Sequence, residues 1–381
     1  RIRKFEGPRL LKIPFLLRDI NDIIMMQMKL QSSKIKVIDL FCGIGGLTHG
    51  LIKEGLDVVA GIDNDSSCKF GYEYNNKTQF IDEDILNVTA EKIDRLFGDK
   101  KETIRVLAGC APCQPFSRLN LNSITKKQLE PLGKFAQLIS ETQPDIVSME
   151  NVSDLAVKNK YPAFANFLRV LDKNNYNYKY EIVDVSEFGV PQKRRRLVLL
   201  ASKFGEIQLI KRTHKNKRVT VRDVITHLEP IKNGEISKRD PLHRSRKLAP
   251  INLKRIKATP HDGGNSESWS EELILECHKK KSGKTYRGSV YGRMRWDEPS
   301  PTMTTQCVGL GNGRYGHPTQ DRAISLREAA IFQTFPQKYQ FSDPTKPIQI
   351  GKVAKFIGNA VPVRLGSIIG RSIKEHVNIY D

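Results

Sequence analysis

The chain has 381 residues, with 63 Lys and Arg against 42 Asp and Glu, a formal net charge of +21 and 39% hydrophobic residues. That length allows two domains with a sizeable core, and dense runs of Leu, Ile, Val and Phe exclude a wholly disordered chain. Six cysteines spread over this length, two of them three apart, indicate a reducing compartment with no disulfide framework. No apolar stretch approaches the ~18 residues that span a membrane. We therefore expect an intracellular protein with no membrane partner, whose positive charge favours a polyanion, above all nucleic acid.

Residues 1–33 show no clear hydrophobic period and are interpreted as an extension before the first domain. After them, short β-rich runs alternate with segments long enough for helices. This alternation is typical of a doubly wound α/β fold, with a mostly parallel sheet covered on both faces. The predicted strands are 35–40, 56–63, 79–82, 104–109, 145–150, 180–185 and 195–202.

The pattern changes near residue 203. Residues 203–257 hold 16 Lys and Arg against five Asp and Glu, and residues 258–320 are rich in Gly, Pro, Ser and Thr. We interpret residues 204–349 as a smaller, irregular, basic domain. Helical character returns at 325–335 and at 352–377. The first domain is accordingly predicted to comprise residues 34–203 together with residues 350–381.

A glycine-rich turn, VIDLFCGIGGL at 37–47, follows the first strand. Glycines let the backbone approach a ligand there, and the helix start offers free N–H groups, although a plain tight turn is the alternative. Thr48 stands where a dinucleotide fingerprint has its third glycine. Asp63 ends the second strand and Asp84 follows the third, where they face the same crevice or, alternatively, cap helices. The three features together predict a nucleoside cofactor.

The fourth strand ends in GCAPCQPFS at 109–117, which places the Cys113 thiol over the same crevice. An inert cysteine and a redox pair with Cys110 are the alternatives, because the two form a C-x-x-C. A single such pair is poor evidence for zinc, and we predict no metal. Glu150 ends the next strand, so a thiol and a carboxyl group are predicted side by side as nucleophile and acid, with helix capping as the alternative for Glu150.

Three consecutive arginines enter the last strand in VPQKRRRLVLL at 190–200. Strand alternation puts Arg194 and Arg196 on one face and Arg195 on the other. A charge run is usually a solvated edge, but arginines alternating into a strand indicate an anionic ligand.

With these motifs in this order, the chain resembles the DNA (cytosine-5)-methyltransferase family from Lys34 to its C-terminus. DLFCGIGG is similar to the family's first motif, GCAPCQPFS to its nucleophile loop, MENV to its acid motif, QKRRRL to its arginine motif and IGNAVPV to its last motif. The resemblance implies a Rossmann-like, S-adenosylmethionine-dependent domain with a target-recognition domain at 204–349. It implies that the cofactor is held by Phe41, Gly43, Ile44, Gly46, Asp63, Asp84, Ile85, Pro112, Asn359 and Ala360.

The resemblance also implies the reaction: a methyl group moves to carbon-5 of a cytosine flipped out of duplex DNA, through a covalent adduct of Cys113. Glu150 would protonate or hydrogen-bond ring nitrogen 3 of the cytosine. Arg194 and Arg196 would favour the thiolate and bind the base carbonyl or its phosphate. Asn64 departs from the family, many members of which carry an aromatic residue there that stacks on adenine.

The implied partner is double-stranded DNA, in a bacterial restriction-modification system. We expect a monomeric cytoplasmic enzyme with access to chromosomal DNA, and a cognate endonuclease that is a functional rather than a physical partner. Two alternatives stay open. One is an RNA cytosine methyltransferase of the same superfamily. The other is a thiol–disulfide protein or a catalytically silent nucleic-acid-binding module, against which the complete set of thiol, acid and arginines argues.

Overall fold

The computed structural model describes residues 34–100, 103–112, 130–157, 162–279 and 288–379. Within this part of the chain, the predicted runs form one seven-stranded sheet with the order β3-β2-β1-β4-β5-β7-β6. The predicted doubly wound α/β fold is thereby confirmed. The strands are β1 (Lys34–Leu40), β2 (Asp57–Asp63), β3 (Gln79–Asp82), β4 (Thr103–Gly109), β5 (Ile146–Val152), β6 (Asn177–Asp184) and β7 (Arg195–Ser202).

The sheet is parallel from β3 through β5, and β7 runs antiparallel to both of its neighbours, β5 and β6. Strand order reverses at β1, which lies between β2 and β4. In open α/β sheets, ligands bind outside the carboxyl ends of the strands at such a switch point. The topology therefore predicts a ligand site at the loops that follow β1, β2 and β4.

Helices cover both faces of the sheet, which explains why its central strands are almost continuously apolar. On one face, helices α3, α4 and α5 pack on Ile38 and Leu107. On the other, α1 and α11 pack on Val37 and Val106. The helices are α1 (Gly46–Lys53), α2 (Lys69–Asn76), α3 (Ala90–Phe97), α4 (Glu130–Thr142), α5 (Pro162–Lys173), α6 (Val221–Ile225), α7 (Pro250–Ala258), α8 (Glu276–Lys279), α9 (Leu326–Phe332), α10 (Ile350–Asn359) and α11 (Val363–Asn378).

Helices α1 and α11 approach each other backbone to backbone at Gly50. A Cβ atom at Gly50 would overlap the carbonyl oxygen of Val363 and lie 2.5 Å from the backbone nitrogen of Ser367. A glycine is needed at this close approach of two backbones. The contact brings the connection between α10 and α11 against the glycine turn that follows β1.

The region predicted as a second domain, residues 204–349, is irregular and carries only short helices and isolated β-bridges where it is described. Its buried side chains are continuous with those of the first domain: Met303 and Phe332 share one hydrophobic cluster with Ile44, Tyr72 and Phe356. The domain limits stay a prediction. No helix in the described ranges is long and apolar enough to cross a membrane.

A buried ion pair stabilises the end of this irregular region. Arg322 donates hydrogen bonds of 2.8 and 2.7 Å to the two carboxylate oxygens of Glu328, and both side chains are buried. Burial alone would raise the pKa of Glu328, but the Arg322 charge and its hydrogen bonds lower it to about 2. Ser325 and Glu328 also form a capping box that begins α9.

The fit of α10 against residues 304–305 is expected to tolerate no added atom at Gly358. A Cβ atom there would overlap the carbonyl of Thr304 and lie 2.5 Å from the nitrogen of Thr305. Gly358→Ala should therefore lower the free energy of unfolding by about 1–3 kcal/mol, as overpacking does. Gly351→Ala, on the same helix with no heavy atom within 4 Å, is the control and should stay within about 1 kcal/mol of wild type. Equal melting temperatures for the two variants would contradict this packing.

Candidate active site

A cavity of about 460 Å³ lies at the carboxyl ends of β1, β2 and β4. Its walls come from the glycine turn, the ends of β2 and β3, residues 110–112 and the connection between α10 and α11. Most of the predicted cofactor residues line it, namely Phe41, Gly43, Ile44, Asp63, Asp84, Ile85, Pro112, Asn359 and Ala360. Gly46 lies behind the wall, where a Cβ atom would overlap the Val361 carbonyl oxygen.

The glycine turn takes a conformation that leaves its backbone open to the cavity. Phe41, Gly43 and Gly45 have φ angles of 59°, 49° and 90°, in the left-handed region that favours glycine. A Cβ atom at Gly43 would have no heavy atom of the described residues within 4 Å. The space beside Gly43 is therefore available to a ligand.

Asp63 fastens this turn to the end of β2. Its Oδ2 accepts a hydrogen bond of 2.8 Å from the backbone nitrogen of Gly43, and its Oδ1 accepts one of 2.9 Å from that of Asp65. Burial raises the pKa of the Asp63 carboxyl group, and these two hydrogen bonds oppose the rise. The carboxylate thus shapes the cavity wall in addition to lining it.

The sequence left two positions open for Asp84, one at the crevice and one as a helix cap, and the structure shows both. Its Oδ1 accepts a hydrogen bond of 2.9 Å from the backbone nitrogen of Leu86, which caps the short 3₁₀ turn at Ile85–Asn87. The same side chain lines the cavity, and its Oδ2 lies 3.4 Å from the side-chain nitrogen of Asn64.

Asp39 is a cavity residue that the sequence reasoning missed. Thr48 donates a hydrogen bond of 2.6 Å to Asp39 Oδ2, whereas Oδ1 is buried and has no hydrogen-bond partner in the described part of the chain. Burial raises the pKa of this carboxyl group to about 7. An orphaned buried acceptor at a cavity wall fits a ligand that carries a hydrogen-bond donor or a positive charge. The signal was present, because this aspartate is the penultimate residue of β1, close before the glycine turn.

Lys355 and Asp65 bridge the cavity wall between distant parts of the chain. The Lys355 ammonium, on α10, donates a hydrogen bond of 3.0 Å to Asp65 Oδ2, just after β2. Both residues line the cavity. Sequence reasoning missed this pair because nothing local relates two residues 290 positions apart.

The predicted nucleophile Cys113 lies outside the described residues, whereas the predicted acid Glu150 and Arg196 are described and lie close together. Glu150, on β5, is only 2% exposed. Its Oε2 accepts a hydrogen bond of 2.7 Å from the Cys110 thiol, and its Oε1 lies 3.0 Å from Arg196 Nε on β7. Asn151 donates a hydrogen bond of 3.2 Å to the carbonyl of Ala111. The strand ends therefore bring a carboxyl group, a thiol and a guanidinium together.

Arg194 and Arg196 contact different partners. Arg194 lies immediately before β7, which begins at Arg195, and the shared strand face of the two arginines stays a prediction. The buried Arg194 guanidinium donates a hydrogen bond of 2.8 Å to the Met303 carbonyl and lies 3.5 Å from the carbonyls of Gly358 and Ala360. It therefore joins the irregular region to the last motif.

No group of three or more His, Cys, Asp or Glu side chains that could hold a metal ion occurs in the described ranges.

A glycine turn, acidic strand ends and a returning C-terminal helix around one cavity are the features of an α/β methyltransferase. Solved structures share this fold. A prophage-encoded Escherichia coli protein described as a DNA modification methyltransferase has a TM-score of 0.69 at 21% identity, covering 91% of this chain and 100% of the other. The Dnmt2 methyltransferase of S. pombe has a TM-score of 0.54 at 17% identity, covering 90% and 99%.

The chain belongs to the C-5 cytosine-specific DNA methylase family, whose profile matches residues 35–375. It is 51% identical over 340 residues to the Type II methylase M.HgiDII of Herpetosiphon aurantiacus, covering 89% of this chain and 94% of the relative. It is 28% identical to the Type II methyltransferase M.PspPI of a Psychrobacter species, covering 91% and 80%. The family predicted from the sequence motifs is confirmed, and with it the enzyme class.

Proposed function

We propose that the protein transfers a methyl group from S-adenosylmethionine to carbon-5 of a flipped-out cytosine in a specific duplex DNA sequence, with Cys113 as the nucleophile. The observation that carries the proposal is the buried Glu150 carboxyl group, which lies beside Arg196 near the carboxyl end of β5. Incubation of random duplex DNA with the protein and S-adenosylmethionine, followed by bisulfite sequencing, tests substrate and sequence together. The absence of protected cytosines would overturn the proposal.

The cavity fits the proposed cofactor. The glycine turn and the α10–α11 connection would hold its methionine end, and Asp63 and Asp84 its ribose and adenine. The open Oδ1 of Asp39 suits the positive charge of an ammonium or sulfonium group. When bound, the cofactor supplies an electrophilic methyl group; the protein needs no metal for this chemistry.

The residues around Glu150 activate the base. Carbon-5 of cytosine is a poor nucleophile until the Cys113 thiolate bonds to carbon-6, while Glu150 gives a proton to ring nitrogen 3. Carbon-5 then takes the methyl group, loses its proton to a base, and Cys113 leaves by elimination. Carbon-6 cannot be reached in a stacked duplex, so the base must be flipped out at a cost of a few kcal/mol.

The two arginines are proposed to act differently. Arg196 lies beside Glu150, where its positive charge favours the thiolate and the charged groups of the base complex. Arg194 is proposed to act as a positioning residue, because its guanidinium contacts the carbonyls of Met303, Gly358 and Ala360. In that position it fixes the irregular region against the cofactor cavity.

Residues 204–349 are proposed to recognise double-stranded DNA, and their excess of Lys and Arg supports this role. We propose that the enzyme works as a monomer in the bacterial cytoplasm, with access to chromosomal DNA. The Type II methylases among its relatives support a restriction-modification setting with a separate endonuclease.

Asp63→Ala should weaken S-adenosylmethionine binding at least tenfold, about 1.4 kcal/mol, in calorimetry. The loss has two sources, because the variant lacks a ribose ligand and also frees the Gly43 nitrogen from its partner. Asp82→Ala is the matched control: Asp82 pairs with Asp63 in the sheet register but is exposed and does not line the cavity. Unchanged affinity in Asp63→Ala would refute the assignment.

DNA binding should weaken steeply as salt rises. Each phosphate neutralised by Lys or Arg contributes about −0.9 to the slope of log K against log[salt], so several contacts give a steep line. Fluorescence anisotropy with a labelled duplex at increasing salt measures the slope. A nearly flat line would show that the basic residues of 204–349 face away from DNA.

A further inference from the structure

Cys110 carries a thiol group that the proposed reaction does not use. It follows β4 directly, and its thiol donates a hydrogen bond of 2.7 Å to Glu150 Oε2. Glu150 is almost fully buried, so water does not compete strongly for this contact. The backbone next to Cys110 is also tied to β5, because Asn151 donates to the carbonyl of Ala111.

The two oxygens of Glu150 therefore have different surroundings. Oε2 accepts from the Cys110 thiol, whereas Oε1 is buried and receives no hydrogen bond from the described residues. Arg196 Nε lies 3.0 Å from Oε1 as an ionic contact whose direction does not make a hydrogen bond. The hydrogen-bonding capacity of Oε1 is thus left for a substrate.

We propose that Cys110 is a positioning residue that decides which oxygen of Glu150 serves the target base. This inference rests on the proposed function, because Glu150 must be the group that serves ring nitrogen 3. While the thiol hydrogen occupies Oε2, the proton that Glu150 carries when it acts as the acid resides on Oε1. That proton passes to ring nitrogen 3 as Cys113 bonds to carbon-6, and it returns to Oε1 when the adduct breaks down.

The Cys110 S–H bond neither forms nor breaks in this scheme, so the step needs no oxidant. This distinguishes the proposal from a redox pair of Cys110 and Cys113, in which both thiols would lose hydrogen. It also predicts that any small side chain with a hydroxyl or thiol donor can serve at this position.

The test is a double-mutant cycle with four proteins: wild type, Cys110→Ala, Glu150→Gln and the double variant. Single-turnover methyl transfer to duplex DNA should be about tenfold slower in Cys110→Ala, because without the thiol donor the acid proton is no longer directed to Oε1. The KM values for DNA and S-adenosylmethionine should change by less than about threefold, since Cys110 is proposed to affect the chemical step. Cys110→Ser should restore most of the rate.

The double variant should be no slower than Glu150→Gln alone, because Cys110 acts only through Glu150. Additive losses, a wild-type rate in Cys110→Ala, or failure of Cys110→Ser to rescue would each overturn the role of Cys110. Melting temperatures identify a loss that comes from misfolding, which also counts against it. If Glu150→Gln itself keeps the wild-type rate, the proposed function fails instead.

Discussion

Wild-type enzyme should become covalently trapped on duplex DNA that carries 5-fluorocytosine at the target position, and Cys113→Ser should form no such adduct. Fluorine at carbon-5 cannot leave as a proton, so elimination stalls after methyl transfer. Serine is a far weaker nucleophile near neutral pH. Denaturing electrophoresis shows the adduct, its formation should require S-adenosylmethionine, and mass spectrometry should map it to Cys113.

Cys110→Ser is the matched control for this trap. Its hydroxyl can replace the thiol as donor to Glu150 Oε2, so it should be trapped almost normally. A redox pair would need both cysteines. An adduct that reducing agents break, an adduct at Cys110, or full methylation by Cys113→Ser would each contradict the mechanism.

Glu150→Gln should lower kcat by about 10²- to 10⁴-fold, the usual contribution of a general acid or base. The amide has nearly the same shape as the carboxyl group and keeps an oxygen for the Cys110 thiol, but it has no carboxyl proton to give to ring nitrogen 3. Because the cofactor cavity is formed by other residues, the affinity for S-adenosylmethionine should be unchanged in calorimetry. A rate within about threefold of wild type would remove Glu150 from the mechanism.

The fold was largely predictable because its signals are local. Runs of Val, Ile and Leu mark each strand wherever it lies in the sheet, and the predicted strands match the observed ones closely. Strand direction is not local: the reversal of β7 follows from its pairing with β5 and β6. Nothing within RRLVLLAS indicates that pairing.

The same distinction applies to the site. Asp63 and Asp84 could be predicted at one cavity, because the carboxyl ends of parallel strands meet at one edge. The contacts of Lys355 with Asp65 and of Arg194 with Met303 join segments that only the tertiary fold brings together. The Cys110–Glu150 hydrogen bond depends on side-chain rotamers, which the sequence pattern does not specify.

The two walls of the cofactor cavity are synthesised at different times in the cell. One wall follows β1 near residue 43, and the opposite wall, at Asn359 and Ala360, is more than 300 residues further along the chain. At about 5–20 residues per second, a ribosome needs roughly 15–60 s to make the second wall after the first. During that interval the nascent chain has a glycine turn that α11 does not yet cover. Methyl transfer can therefore begin only after nearly the whole described chain has been synthesised.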